Sequence, residues 1–159
     1  MGVPQDSVLG PSLFAAYISP VGQLITSHGV EHHQYDDDTQ LFLAMRASTI
    51  RAGLSTLEDC TRDVKRWFAE NDLLLNADKS EVMMIGTPSQ LRAASTVNTV
   101  AVADANVTLS SKLKSLGVIV DSRLSFDAHI AMVCKTCNYH IWALRQIRRL
   151  LPLVGASIV

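Results

Sequence analysis

The sequence predicts an α+β fold, and three observations carry that reading. Segments with apolar residues at alternate positions give way to segments repeating every three to four residues, and back again. The β-prone runs sit next to one another, separated by turn-length polar stretches, which favours antiparallel hairpins over parallel crossovers. The chain has 159 residues, 48% apolar and 18% charged, which suits one globular domain with room for the beginning of another.

The N-terminal Gly2-Val3-Pro4-Gln5 is loop chemistry. Pro11 stands where a first helical turn accepts proline, and Leu13, Phe14, Tyr17, Ile18 and Val21 follow at helical spacing. A helix is expected over about 11–19, ended by Pro20 and Gly22. Strands at 31–35 and 39–45 should form a hairpin with Asp36-Asp37-Asp38 at its tip. Ser48 or Thr49 can cap a helix over 49–70. Its apolar face (Leu54, Leu57, Val64, Trp67, Phe68) should lie on the sheet, and Asn71-Asp72 should stop it. Helical spacing makes Trp67 and Phe68 core residues rather than base-stacking platforms. Residues 73–76 and 81–85 read as short strands, 86–98 as a polar loop, and 100–102, 107–109 and 116–120 as β-prone. From Phe126 to about Leu151 the pattern is helical again, in what reads as a separate lobe.

Charge is unevenly spread. Residues 1–45 contain no Lys or Arg but five acidic side chains. Residues 112–159 contain seven basic and two acidic ones. One end suits cations and the other polyanions. Three cysteines argue against a disulfide framework and for a reducing compartment. No basic segment precedes an apolar run, so no signal peptide is expected, and the protein should be intracellular, nuclear or cytoplasmic. The uncharged stretch 7–30 is broken by Pro and Gly, and the apolar tail 150–159 is too short to span a bilayer, so no membrane is expected as a partner. Oligomeric state is not legible.

The sharpest chemical feature is Tyr35-Asp36-Asp37-Asp38-Thr39. Adjacent carboxylates repel each other, and an apolar-flanked cluster is costly unless a cation sits there. Such oxygens suit Mg²⁺, and two carboxylate-held ions serve in-line phosphoryl transfer. A solvated acidic turn is the alternative. Cys134-Lys135-Thr136-Cys137, with His129 and His140, offers a possible zinc set. His129 lies about three helical turns from His140, too far for one ion, so buried or half-buried thiols are expected instead. His32 and His33 point to opposite faces of a strand and should not ligate together.

The order of motifs is more specific than any one of them. Gly2-Val3-Pro4-Gln5-x-Ser7-Val8-Leu9-Gly10-Pro11, with Leu13-Phe14 and Tyr17-Ile18, resembles a motif of the reverse transcriptases of non-LTR (LINE-type, jockey-like) retrotransposons. There it precedes a Tyr-Ala-Asp-Asp-Thr hairpin, and Tyr35–Thr39 follows here. Trp67, Asn71-Asp72, Leu73-Leu74-Leu75-Asn76 and Lys79-Ser80-Glu81 look like the next motif. Ser115-Leu116-Gly117-Val118 with Asp121, then Leu124-Ser125-Phe126 and His129-Ile130, look like the one after it. The resemblance implies a partial polymerase palm over 1–122 and the helical beginning of the thumb over 123–159. It implies RNA-templated DNA synthesis with two Mg²⁺ (or Mn²⁺) ions, an RNA template, a DNA primer and nucleoside triphosphates. Asp37 would be the principal metal ligand and Asp38 a weaker or outer one. Lys79 would protonate the leaving pyrophosphate, unless it is a plain surface lysine. Gln5 and Tyr35 would meet template and incoming nucleotide. Leu116 and Gly117 would approach the primer, unless Gly117 is an ordinary strand-edge glycine. Arg145, Arg148 and Arg149 lie at helical spacing for phosphate contacts, or on a solvated helix face.

Departures from the family pattern matter too. The family has glycine where this chain has Asp6 and usually alanine where it has Asp36. Each adds a carboxylate near a triphosphate or primer end, where two unit charges about 4 Å apart repel by roughly 4 kcal/mol at an effective dielectric near 20. The family's first catalytic aspartate, on a strand before the Gly-Val-Pro-Gln motif, is not among these residues. The expectation is a polymerase fragment inactive by itself. A non-catalytic nucleic-acid-binding module or a vestigial globular fragment is the alternative.

Overall fold

The computed structural model describes residues 8–35 and 38–148. The chain divides into two compact units, Met1–Ser110 and Ser111–Val159. The fold is mixed α and β, with small antiparallel sheets and packed helices, as a partial polymerase palm requires.

In the first unit, helix α1 (Gly10–Ser27) leads into the hairpin of β1 (Glu31–Tyr35) and β2 (Asp38–Phe42), followed by helix α2 (Ile50–Glu70). Register runs from Glu31↔Phe42 to Tyr35↔Asp38. Val21 and Ile25 of α1, Val30, and Cys60 and Val64 of α2 form a buried cluster. Leu41, Leu57, Trp67 and Phe68 pack against it. Burying each of the larger aliphatic side chains contributes about 1.5–3 kcal/mol, so this cluster is what seats the hairpin on the helices. His28 Nε2 lies 3.0 Å from Asp63 Oδ2, and Arg66 holds the other oxygen, tying the end of α1 to α2.

The other side of α2 meets a second cluster. Leu54 and Leu57 pack on Val100, Val102 and Ala103. These belong to the hairpin of β3 (Thr99–Val102) and β4 (Ala105–Thr108) and its tip. Both tip residues, Ala103 and Asp104, have positive φ, which suits a two-residue hairpin loop. Their strain is offset by anchoring to α2. The Ala103 N–H donates to Thr61 Oγ1 at 3.1 Å, and Lys65 Nζ donates to Ala103 O and Asp104 Oδ2. The Lys65 hydrogen bond holds the Asp104 carboxyl below its usual range.

The second unit consists of the hairpin β5 (Lys112–Ser115) and β6 (Val118–Asp121) and helix α4 (Asp127–Ile147). Helix α4 packs on β6 but buries none of its own residues.

Several sequence expectations need correction. Helix α1 does not end at Pro20; it runs eight residues longer, to Ser27. Proline removes the N–H that would reach the Ala16 carbonyl. Here Ser19 Oγ donates to that carbonyl at 2.9 Å, so the break is bridged. Gly22 has a different role: a Cβ there would sit 2.5 Å from His32 Nε2, so the bare glycine leaves room for the His32 ring of β1. Strand β2 ends at Phe42 rather than Met45, because β1 begins at its partner Glu31 and offers nothing to pair with beyond it. Thr49 is the N-cap of α2 but makes no capping bond; its hydroxyl donates to Arg46 O instead. Residues 73–76 and 81–85 are not strands. They have no regular secondary structure, and only Val82 finds a bridge, to Leu109, among the described residues. The 86–98 loop contains a short helix, α3 (Pro88–Ala93), opened by a Thr87–Gln90 capping box. Helix α2 does stop at Asn71-Asp72, with Asp72 left-handed (φ +55°) and Leu73 N–H donating to Phe68 O at 2.8 Å. The helical reading past Ile147 to Leu151 falls largely outside the described residues, as does the apolar tail.

Candidate functional site

The β1–β2 hairpin has two faces. His32 and Gln34 lie toward α1 beside Gly22, and Leu41, opposite His32, reaches the core. Alternation therefore turns Glu31, His33 and Tyr35 outward, and pairing brings Phe42, Gln40 and Asp38 onto the same face. Tyr35 is 60% exposed, and its partner Asp38, the first residue of β2, is exposed beside it. The motif order singles out Tyr35 and Asp38 but misses Glu31, His33, Gln40 and Phe42. Side-chain alternation along a strand, applied once the hairpin register is known, is what finds them.

Asp36 and Asp37, which join the two strands, lie outside the described residues, as do Gln5, Asp6 and Arg149. Among the described residues, no group of three or more His, Cys, Asp or Glu side chains is placed to hold a metal ion. Carboxylate oxygens are nonetheless the donor type a hard divalent ion takes. The Asp37–Asp38 pair fits such an ion in chemistry, and Asp38 is presented outward.

Lys79 ends a 3₁₀ turn, Ala77–Lys79, and is exposed. Among the described residues its side chain makes no hydrogen bond or ion pair. The turn is held by Ser80 N–H donating to Ala77 O at 3.0 Å, and Ala77 packs on the second cluster.

In the second unit, Leu116 and Gly117 form the two-residue tip of the β5–β6 hairpin, at φ +47° and +85°. Gly117 tolerates that conformation without strain; Leu116, half-exposed, does not. Arg145 and Arg148 stand one turn apart, both exposed, at the end of α4.

The residue that sequence reasoning undervalues is Asp121, only 7% exposed. Its carboxylate accepts the N–H groups of Arg123, Ser125 and Phe126 and the Ser125 hydroxyl, all within 3.1 Å. The Ser125 N–H above all, then the others, hold its pKa down to about 2. The turn needs this anchor because Leu124 and Phe126 are both left-handed. The Asp-Ser-x-x-Ser run before a helical pattern is the available signal.

The thiols also need correction. Cys134 and Cys137 are exposed, not buried or half-buried, because α4 buries no face. His129 is engaged elsewhere: its Nδ1 accepts the Ile119 N–H at 3.4 Å. Trp67 and Phe68 are core residues as expected, ring to ring at 5.7 Å. A shallow groove of about 540 Å³ lies along Ser19, Gly22, Gln23, Thr26 and His32, on the α1 side of the hairpin. It contains none of the sequence-predicted site residues.

The packed helices and small antiparallel sheets, with Asp38 exposed at the end of the β1–β2 hairpin, fit a partial polymerase palm. The family model described as reverse transcriptase (RNA-dependent DNA polymerase) matches residues 1–120, and the chain belongs to that family. No curated protein and no solved structure matches it. The family works with divalent metal ions on a nucleic-acid template and primer with nucleotide substrates. No helix among the described residues is long and apolar enough to cross a membrane.

Proposed function

We propose that this chain is the part of a retrotransposon reverse transcriptase, of the non-LTR, jockey-like kind, that spans the second half of the palm (1–122) and the beginning of the thumb (123–159). One observation carries the reading: the Tyr35↔Asp38 register sets an exposed tyrosine and carboxylate side by side at the end of a hairpin seated on two helices. Asp37 and Asp38 would hold the Mg²⁺ or Mn²⁺ ions, which when bound polarise the transferred phosphoryl group. Tyr35 and Gln5 would orient template and incoming nucleotide. Lys79, on its own exposed turn, would deliver a proton to the departing pyrophosphate oxygen. The β5–β6 tip, Leu116-Gly117, would run along the primer backbone, and Arg145, Arg148 and Arg149 would neutralise phosphates.

Residues 1–159 alone lack a carboxylate corresponding to the family's first aspartate, and two-metal transfer needs attacking and leaving oxygens clamped together. Purified residues 1–159 should therefore extend no primer on an RNA template. Fused behind a fingers segment and first palm strand from such a polymerase, they should support template-directed incorporation that Asp37→Asn abolishes. Incorporation by residues 1–159 alone would overturn the inactivity. Incorporation by the fusion that survives Asp37→Asn would overturn the site.

A further inference from the structure

Helix α4 carries two thiols one turn apart, and their surroundings set them apart from the third. Cys134 and Cys137 are both exposed, and neither makes a hydrogen bond among the described residues. Cys60 is fully buried, and burial, then the nearby Asp63 carboxylate, pushes its thiol up to about 11. The reactive sulfur of this protein is therefore the pair on α4.

The spacing selects what that pair can hold. Positions i and i+3 of an α-helix place their Cβ atoms about 5–6 Å apart. A disulfide needs Cβ atoms about 3.5–4.5 Å apart, so closing one here would bend the helix. A tetrahedral ion with metal–sulfur bonds of about 2.3 Å holds two sulfurs about 3.8 Å apart, and the two Cβ–S bonds splay outward to make up the rest. An undistorted α4 thus fits a bridging soft ion better than a direct sulfur–sulfur bond.

We propose that Cys134 and Cys137 form a two-thiolate chelate for a soft divalent cation of the zinc–cadmium class. Two S–H bonds break, two metal–sulfur bonds form and two protons leave to solvent, with no change of oxidation state. Water completes the coordination. His140 sits six residues beyond Cys134, about 9 Å along the axis, too far to join both sulfurs on one ion. Ile130, Val133, Ile141 and Leu144 are exposed on the same helical face as the pair, so binding stoichiometry is what separates a chelate within one helix from a site shared between two copies. Hard ions stay with oxygen donors, so this site is chemically distinct from Asp38 and independent of the polymerase reading.

The test uses Cd²⁺ alone, titrated into the reduced full chain. One ion should bind per monomer, with a sulfur-to-metal charge-transfer band in the near ultraviolet, release of two protons and unchanged helix content. Cys134→Ser and Cys137→Ser should each weaken binding by more than the about tenfold that loss of a supporting group costs a metal site. Cys60→Ala and His140→Ala should leave it unchanged. Wild-type affinity in the Cys134→Ser/Cys137→Ser double variant, or one ion per two chains, would overturn the proposal. So would ready closure of a Cys134–Cys137 disulfide with helix content intact.

Discussion

Replacing Pro20 by alanine should stabilise the first unit. Proline in a helix interior costs about 3 kcal/mol relative to alanine. In α1 part of that cost is already recovered, because the Ser19 hydroxyl occupies the Ala16 carbonyl that Pro20 leaves unbonded. A hydrogen bond of that kind contributes about 1 kcal/mol net, so roughly 2 kcal/mol remains to be gained. Pro20 is exposed, so no packing is lost when its ring is removed. The same geometry fixes a coupling. Ser19→Ala should cost up to about 1 kcal/mol beside Pro20. In the Pro20→Ala background it should cost close to nothing, because the new backbone N–H then serves the carbonyl. The assay is urea unfolding followed by Trp67 fluorescence in a Trp142→Phe background, so that only the first unit reports. Equal or lower stability of Pro20→Ala would refute the reasoning, as would a Ser19→Ala cost that is the same in both backgrounds.

Other consequences can be checked as directly. At pH 8 a thiol reagent should label Cys134 and Cys137 rapidly and Cys60 only on unfolding. Because the folded Cys60 pKa is raised, its contribution to stability is intact below about 9 and declines as pH rises towards 11; a Cys60→Ala variant should lose that alkaline slope. Asp121 has the opposite sign: its lowered pKa gives stability that is present above about pH 4 and lost as pH falls through about 2. Asp121→Asn should fray the start of α4, seen as faster amide exchange at Arg123, Ser125 and Phe126, and remove that acid sensitivity. Leu116→Gly should raise second-unit stability by up to about 1 kcal/mol by relieving a left-handed leucine. In the active fusion, Asp6→Gly with Asp36→Ala should raise incorporation; in residues 1–159 alone the pair should restore nothing.

The hairpin and α2 are legible because their signals are local and periodic. Two β-length runs flank a compact acidic turn between Tyr35 and Thr39, and Leu54, Leu57, Val64 and Phe68 fall on one helical face. The length of α1 is not legible, since a proline's effect depends on whether a neighbouring hydroxyl takes the stranded carbonyl. The strands expected at 73–76 and 81–85 show the other difficulty. Leu73 and Leu75 are more buried than Leu74, as alternation requires, but pairing is decided by partners elsewhere in the chain. The Thr87-Pro88-x-Gln90 box is a local helix-start signal inside a stretch whose polar composition reads as loop. Of the candidate site, motif order names Tyr35 and Asp38, which the hairpin register pairs. It does not find the joint role of the Asp121 carboxylate, because four donors converging on one side chain are a property of the folded turn.

The Asp37–Asp38 end of the β1–β2 hairpin is proposed above as a divalent-cation site. Titrating Mn²⁺ into the isotope-labelled chain tests it without any catalytic assay. Amide resonances of Tyr35, Asp38 and Thr39 should broaden first, at millimolar Mn²⁺, and Asp37→Asn with Asp38→Asn should abolish the effect. Weak binding is expected because Mg²⁺ and Mn²⁺ need more oxygen ligands than this hairpin offers by itself. Broadening that starts elsewhere and leaves the hairpin sharp, or that persists in the double variant, would contradict the claim.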